Sequence, residues 1–177
     1  MKKTIILLLI LLSIYALAEN EPDSTSKNPF KYFLGSWIGE ETGKAGVGEG
    51  EREYQFILDN NFLFQKNTST FEPQEKNPKG EVHQDWAFYS FDRMRGKYIL
   101  REFHSEGYVN QYVLDSLSAD NKTMIFVSEA IENVPEGWRA RVSFMIQNEN
   151  EFYETFELAA PAKDFSEILK NKWKRLK

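Results

Sequence analysis

The chain has 177 residues, 22 of them basic and 27 acidic, for a formal net charge of −5 and no cysteine. The acidic balance argues against nucleic acid and anionic lipid surfaces as partners. The missing cysteines exclude thiol catalysis, zinc–thiolate sites, Fe–S clusters and disulfides, and only two histidines, His83 and His104, stand against a multi-histidine metal site.

Taken in order, the chain opens with a segment that reads as a signal peptide, residues 1–18. Lys2 and Lys3 form a basic start, Ile5 to Leu17 is a nearly unbroken apolar run, and Ala16-Leu17-Ala18 is an A-x-A cleavage pattern before Glu19. The run is short for a membrane span, so no integral span is expected after cleavage. The expected location is exported, either periplasmic or secreted. Removing 18 residues leaves 159, about one domain's worth, and moves the formal charge from −5 to −7. Residues 19–28 are polar and charged, a flexible leader, and residues 29–177 are then a single folded domain.

Pro29 to Leu34 predicts one helical turn with proline at its start, laying Phe30 and Phe33 over one end of the strands downstream. Gly35-Ser36-Trp37-Ile38-Gly39-Glu40 opens the first strand. Gly43, Gly46, Gly48 and Gly50 lack the Gly-Lys-Ser/Thr of a phosphate loop and read as turn or bulge glycines. From there the pattern is strand, turn, strand: 51–58, 62–71, 82–91, 97–104, 108–115, 123–129, 138–147, 151–158 and, after a loop with a short helical piece reaching Leu169, a final strand at 171–176. About ten strands joined mostly by short turns form an antiparallel meander. A meander that must hide both edges closes into an up-and-down β-barrel. The fold class is all-β.

Two strands, 97–104 and 108–115, have no cleanly apolar face, as expected of a barrel whose inside is partly wet and also of an edge strand in an ordinary β protein. They contribute Arg101 and Tyr112 as candidate ligand contacts, and Trp86, within the core-like Trp86-Ala87-Phe88-Tyr89, is another. The last hairpin is more ordered. Trp138, Ala140, Val142, Phe144 and Ile146 share one face. A three-residue loop at 148–150 would pair Gln147 with Glu151, Met145 with Tyr153, Ser143 with Thr155 and Arg141 with Glu157. The resulting polar ladder has two readings. It is a cavity lining, in which Arg141, Tyr153 and Thr155 hold an acidic head group, or it is a solvent-facing face with an Arg–Glu pair.

The Gly35-x-Trp37 opening resembles that of the calycins, the superfamily of lipocalins, fatty-acid-binding proteins and related small barrels. The resemblance implies a barrel plugged by Trp37, with a basic residue from the chain end, Arg175 or Lys174, lying across the indole. Gly35-x-Trp37-x-Gly39-Glu40 and the strand count further resemble the nitrobindin-like heme-binding barrels. In that family a histidine near the final strand ligates the iron; Phe165 to Lys177 contains none, so that ligand does not carry over, and heme would require His104 from another strand.

Three functions stay open on the sequence. The first is binding of a small, mostly apolar ligand with a polar or acidic head group, by a monomer or weak dimer that needs no cofactor. The second is heme, with His104 as ligand. The third is a packed barrel working through its surface as an envelope or secreted interaction protein. Catalysis is the weaker expectation, since neither Gly-x-Ser-x-Gly nor His-Glu-x-x-His is present.

Overall fold

The structure, a computed structural model, describes residues 28–177; the signal-peptide segment and all but the last residue of the leader lie outside them. Ten antiparallel strands close into a barrel: β1 (Gly35–Gly43), β2 (Gly46–Ile57), β3 (Phe62–Phe71), β4 (Glu81–Asp92), β5 (Lys97–His104), β6 (Val109–Leu117), β7 (Thr123–Glu132), β8 (Arg139–Asn148), β9 (Glu151–Ala159) and β10 (Ser166–Arg175). Every strand pairs with its sequence neighbours, and β1 pairs with β10 to close the ring. Among the described residues no helix is long and apolar enough to cross a membrane.

A 3-10 turn, Pro29–Phe33, precedes the barrel; Asn28 caps it, its side chain accepting from the Phe30 amide at 3.0 Å. The turn buries Phe30 and Phe33. There they meet Tyr54, Tyr89, Phe126, Phe144 and Phe152 at ring-centroid distances of 5.0 to 6.2 Å, filling one end of the barrel with offset and edge-on aromatic pairs. Trp37 is fully buried beside Phe152 and donates its indole N–H to the Phe33 carbonyl at 2.6 Å. The Arg175 guanidinium lies 4.1 Å over the Trp37 ring and donates to the carbonyls of Tyr32 and Leu34. One cation thus ties the last strand, the first strand and the entry turn together. Gly35 makes this possible with φ +101° and the Arg175 side chain passing close by.

Three local expectations are corrected. The glycines after β1 are not confined to a turn: Gly48 and Gly50 sit inside β2, and a Cβ on Gly50 would fall 2.5 Å from the Trp173 ring. Gly39, directly opposite both Gly50 and Trp173, is equally tight against that ring at 2.8 Å. The two glycines form a window that lets a buried Trp lie flat on the wall. The helical piece near Leu169 is strand, because β10 begins at Ser166 and absorbs a bulge between Glu167 and Leu169. Finally, the β8–β9 turn is tighter than a three-residue loop. Asn148 pairs with Glu151 and Gln147 is bulged out, while Arg141–Glu157, Ser143–Thr155 and Met145–Tyr153 pair as the sequence predicts.

Candidate functional site

Strand alternation carries the site. With Trp37 inside, Gly39 and Glu41 are also inside; the same parity turns Arg52 and Tyr54 of β2, Gln65, Asn67 and Ser69 of β3, and His83, Asp85, Ala87 and Tyr89 of β4 inward. The plugged end is aromatic and the opposite half of the interior is polar. There the barrel keeps a cavity of about 610 Å³. Its floor holds Glu41, Arg52, Asn67, Asp85, Glu102 and Glu154; its mouth is mainly apolar, with Phe71, Tyr108, Ile131, Trp138, Phe156 and Leu158, and carries Lys44, Glu81 and Glu106 as well.

The floor is one hydrogen-bonded network. Arg52 pairs with Glu154 at 2.9 Å, donates to Asn67 Oδ1 at 3.0 Å and stacks 4.0 Å over Trp173. Glu154 also accepts from the Trp173 indole at 2.9 Å and from Asn171 at 3.2 Å. Asp85 accepts from Asn67 at 2.8 Å and from Gln65 at 3.1 Å, and Gln65 accepts from Tyr89 at 2.9 Å. Ser69 donates to Glu41 Oε1 at 2.8 Å. Two buried acceptors have no partner among the described residues, Glu41 Oε2 and Asn171 Oδ1. They belong to residues directly opposite one another on β1 and β10, 1% and 3% exposed. An orphaned buried acceptor costs about 1–3 kcal/mol, and both atoms lie within the wall, without surface open to the cavity.

Burial sets the ionisation of the floor. It pushes the Glu41 carboxyl up to about 7 against the opposing pull of Ser69 and Arg52. Burial, then the charges of Asp85 and Glu154, push Glu102 up to about 8. A hydrogen bond to Asp85 raises His83 to about 9 despite desolvation, with Glu106 assisting. Burial lowers His104.

The residues expected to bind ligand are placed differently from one another. Arg141, Tyr153 and Thr155 are on the outer face, because their neighbours Ala140, Val142, Phe152 and Glu154 take the inner positions. The ladder is therefore the outward one. Arg141 pairs with Glu157 at 2.5 and 2.7 Å and lies 4.4 Å over Phe165, and Tyr153 lies between Lys170 and Lys172. Arg101 is also outside, bonded to Gln111 at 3.1 Å. Trp86 is 53% exposed and edge-on to Phe64 in an external aromatic cluster. Tyr112 is inside and fully buried, accepting from Asn110 at 3.0 Å. His104 faces the cavity, 3.0 Å from Asn110 and 3.4 Å from His83.

No family model matches the sequence, and no curated protein sequence matches it. Among solved structures the chain is similar to Rv2717c from M. tuberculosis, with a TM-score of 0.64 and 17% identity, over 90% of this chain and 100% of that one. A more distant similarity, with a TM-score of 0.43 and 9% identity, is to a redesigned β-barrel, over 83% of this chain and 94% of that one. The first likeness concerns the fold: the chain is a ten-stranded closed antiparallel barrel with a structural neighbour of the same architecture.

Proposed function

We propose that this protein is a binding module for one small amphipathic molecule, held with its polar end on the floor and its apolar end in the mouth. The observation that carries it is the divided interior. A barrel packed solid at one end keeps at the other a cavity of about 610 Å³, inside the range of roughly 300–1,000 Å³ of small-molecule sites. That cavity has a mainly apolar entrance and a base of carboxyl and amide side chains. The polar end of the guest is a hydrogen-bond donor, an amine, amide or hydroxyl, rather than the acidic group the Arg141 ladder would have taken. The lining holds six carboxyl residues (Glu41, Glu81, Asp85, Glu102, Glu106 and Glu154) against Lys44, Arg52 and two histidines, and Arg52 is already committed to Glu154. His83 is likewise held by Asp85 and Glu106, so among the described residues an anionic head would find no unpaired cation on the floor.

The test is calorimetric titration with three ligands that share one medium-length alkyl chain and end in an amine, an alcohol or a carboxylate. The expected order is amine and alcohol tighter than carboxylate. The reverse order would overturn the head-group assignment, and no binding of any of the three would overturn the cavity reading. A tetrapyrrole held by His104 is a second reading, favoured by one observation: His104 faces the cavity. It requires the ring to leave Asn110 or His83, and a heme absorption band on reconstitution would support it. The expectation of export stands on residues 1–18, and sequencing the mature N-terminus from the native host checks for a start at Glu19.

A further inference from the structure

His83 and Asp85 are two residues apart on β4 and so project from the same face. His104 on β5 is the direct cross-strand partner of Asp85. One potential ligand atom from each of the three lies within 4.8 Å of the other two. His83 Nε2 is 3.4 Å from His104 Nδ1 and 3.5 Å from Asp85 Oδ2. Those separations match the edge of a tetrahedron around a metal with bonds of about 2.1 Å, which is about 3.4 Å.

We propose that His83, Asp85 and His104 form a binding site for a divalent first-row metal ion of the zinc or iron(II) class. Two imidazoles and one carboxylate are a donor set for such ions. The surroundings are those of a built site. His83 offers Nε2 to the centre while its Nδ1 is 2.8 Å from Glu106 Oε1, an outer carboxylate that fixes the ring and its tautomer. His104 offers Nδ1 while its Nε2 is 3.0 Å from the Asn110 side-chain amide nitrogen. Metal binding through Nδ1 puts the proton on Nε2, so it requires the Asn110 amide to turn its Oδ1 to the ring. Asp85 is held by Asn67 and Gln65. All three ligands line the cavity, so three protein ligands leave at least one coordination position open towards it. That position takes a small oxygen or nitrogen donor, a water or the polar end of a guest. The site uses the cavity wall but not the organic guest, so metal uptake by a chain that binds no alkyl ligand would remove the guest reading alone.

The geometry also fixes which nitrogens bind. His83 ligates through Nε2 and His104 through Nδ1, so the two rings are opposite tautomers in the metal-bound protein. The experiment is titration of the tag-free chain with Zn²⁺, followed by ¹⁵N imidazole spectra, with Co²⁺ as a visible-absorption probe of coordination. With only two histidines in the chain, each ring nitrogen is assignable. One equivalent of metal is expected, with His83 Nε2 and His104 Nδ1 shifting, and a Co²⁺ spectrum of four- or five-coordinate intensity. Asp85→Asn and His104→Gln should each weaken binding more than tenfold, and Glu106→Gln about tenfold through its effect on His83. Absence of uptake, uptake that leaves those two nitrogens unmoved, or full affinity in a folded Asp85→Asn variant would overturn the site. Should a substitution prevent folding, the wild-type imidazole spectra decide the matter alone.

Discussion

Glu41 shows how one buried residue ties the barrel's stability to pH. Its carboxyl is buried next to Arg52 of β2, Ser69 of β3, Asp85 of β4 and Glu154 of β9, and burial holds it at about 7 rather than 4.5. A carboxyl raised in the folded state leaves stability intact at low pH and costs it as pH climbs past the unfolded value towards and beyond 7. The full difference is about 3 kcal/mol. Glu41→Gln should flatten the loss of stability between pH 5 and pH 8; chemical denaturation at several pH values measures it, and an unchanged slope would remove Glu41 as its source. Arg52 is the opposite case, a buried cation whose partners are all in place. Arg52→Gln should cost about 3–5 kcal/mol by leaving Glu154 charged and unpaired, and removing Glu154 as well should recover part of that loss. Equal losses in the single and double variants would show that the pair is not coupled.

At the scale of elements, β1 and β2 owe their place in the wall to glycine. Gly39 and Gly50 sit where the Trp173 ring needs bare backbone. Gly50→Ala should destabilise by about 1–3 kcal/mol through overpacking against Trp173 and Glu41; a thermal melt reads it, and a neutral result would mean that the ring has room to move. The β8–β9 hairpin makes the converse point. Its register was legible because alternation and turn length fix cross-strand partners, yet the same pattern was silent on which face looked inward. Both faces carry residues a cavity accepts, and only ring closure decides that Ala140, Val142 and Phe144 are interior. Arg141→Ala should therefore cost under about 1 kcal/mol, as for a half-exposed pair, and leave guest affinity unchanged in the same titration. The floor residues were within reach of parity reasoning: Trp37 inside implies Glu41 inside, and the Asp92–Lys97 turn sets Asp85 opposite His104. What hid them is that Gln65, Asn67 and Ser69 look like an outward polar face until a network satisfies them.

For the molecule as a whole, the organising fact is that its two halves do different work. The aromatic half provides the packed core and fastens the ring, with Arg175 bridging Trp37 and the entry turn. The polar half stays open because charged and amide side chains brace one another there instead of filling the space. The fold was readable from turn spacing and the Gly35-x-Trp37 opening because a meander with two unpaired edges has few ways to hide them. The chemistry was less readable, since the cavity arises from ten inward faces that no single segment displays. Arg175→Ala should lower stability by about 2–4 kcal/mol, given the charge-assisted bonds and cation–π contact it loses. It should leave guest affinity in the surviving folded fraction little changed, because it acts at the far end. A large loss of affinity at full stability would contradict the division into halves.

The four tryptophans allow the central claim to be tested in one experiment. Trp138 lines the mouth, Trp173 donates its indole proton to Glu154 on the floor, Trp37 is locked in the plug and Trp86 is on the outer face. Titration of the ¹⁵N-labelled protein with a medium-chain alkylamine should shift the indole signals of Trp138 and Trp173 together and saturably, leaving Trp37 and Trp86 in place. Movement of Trp86 alone would assign binding to the outer aromatic cluster, and no saturable movement at Trp138 and Trp173 would contradict a guest in the barrel.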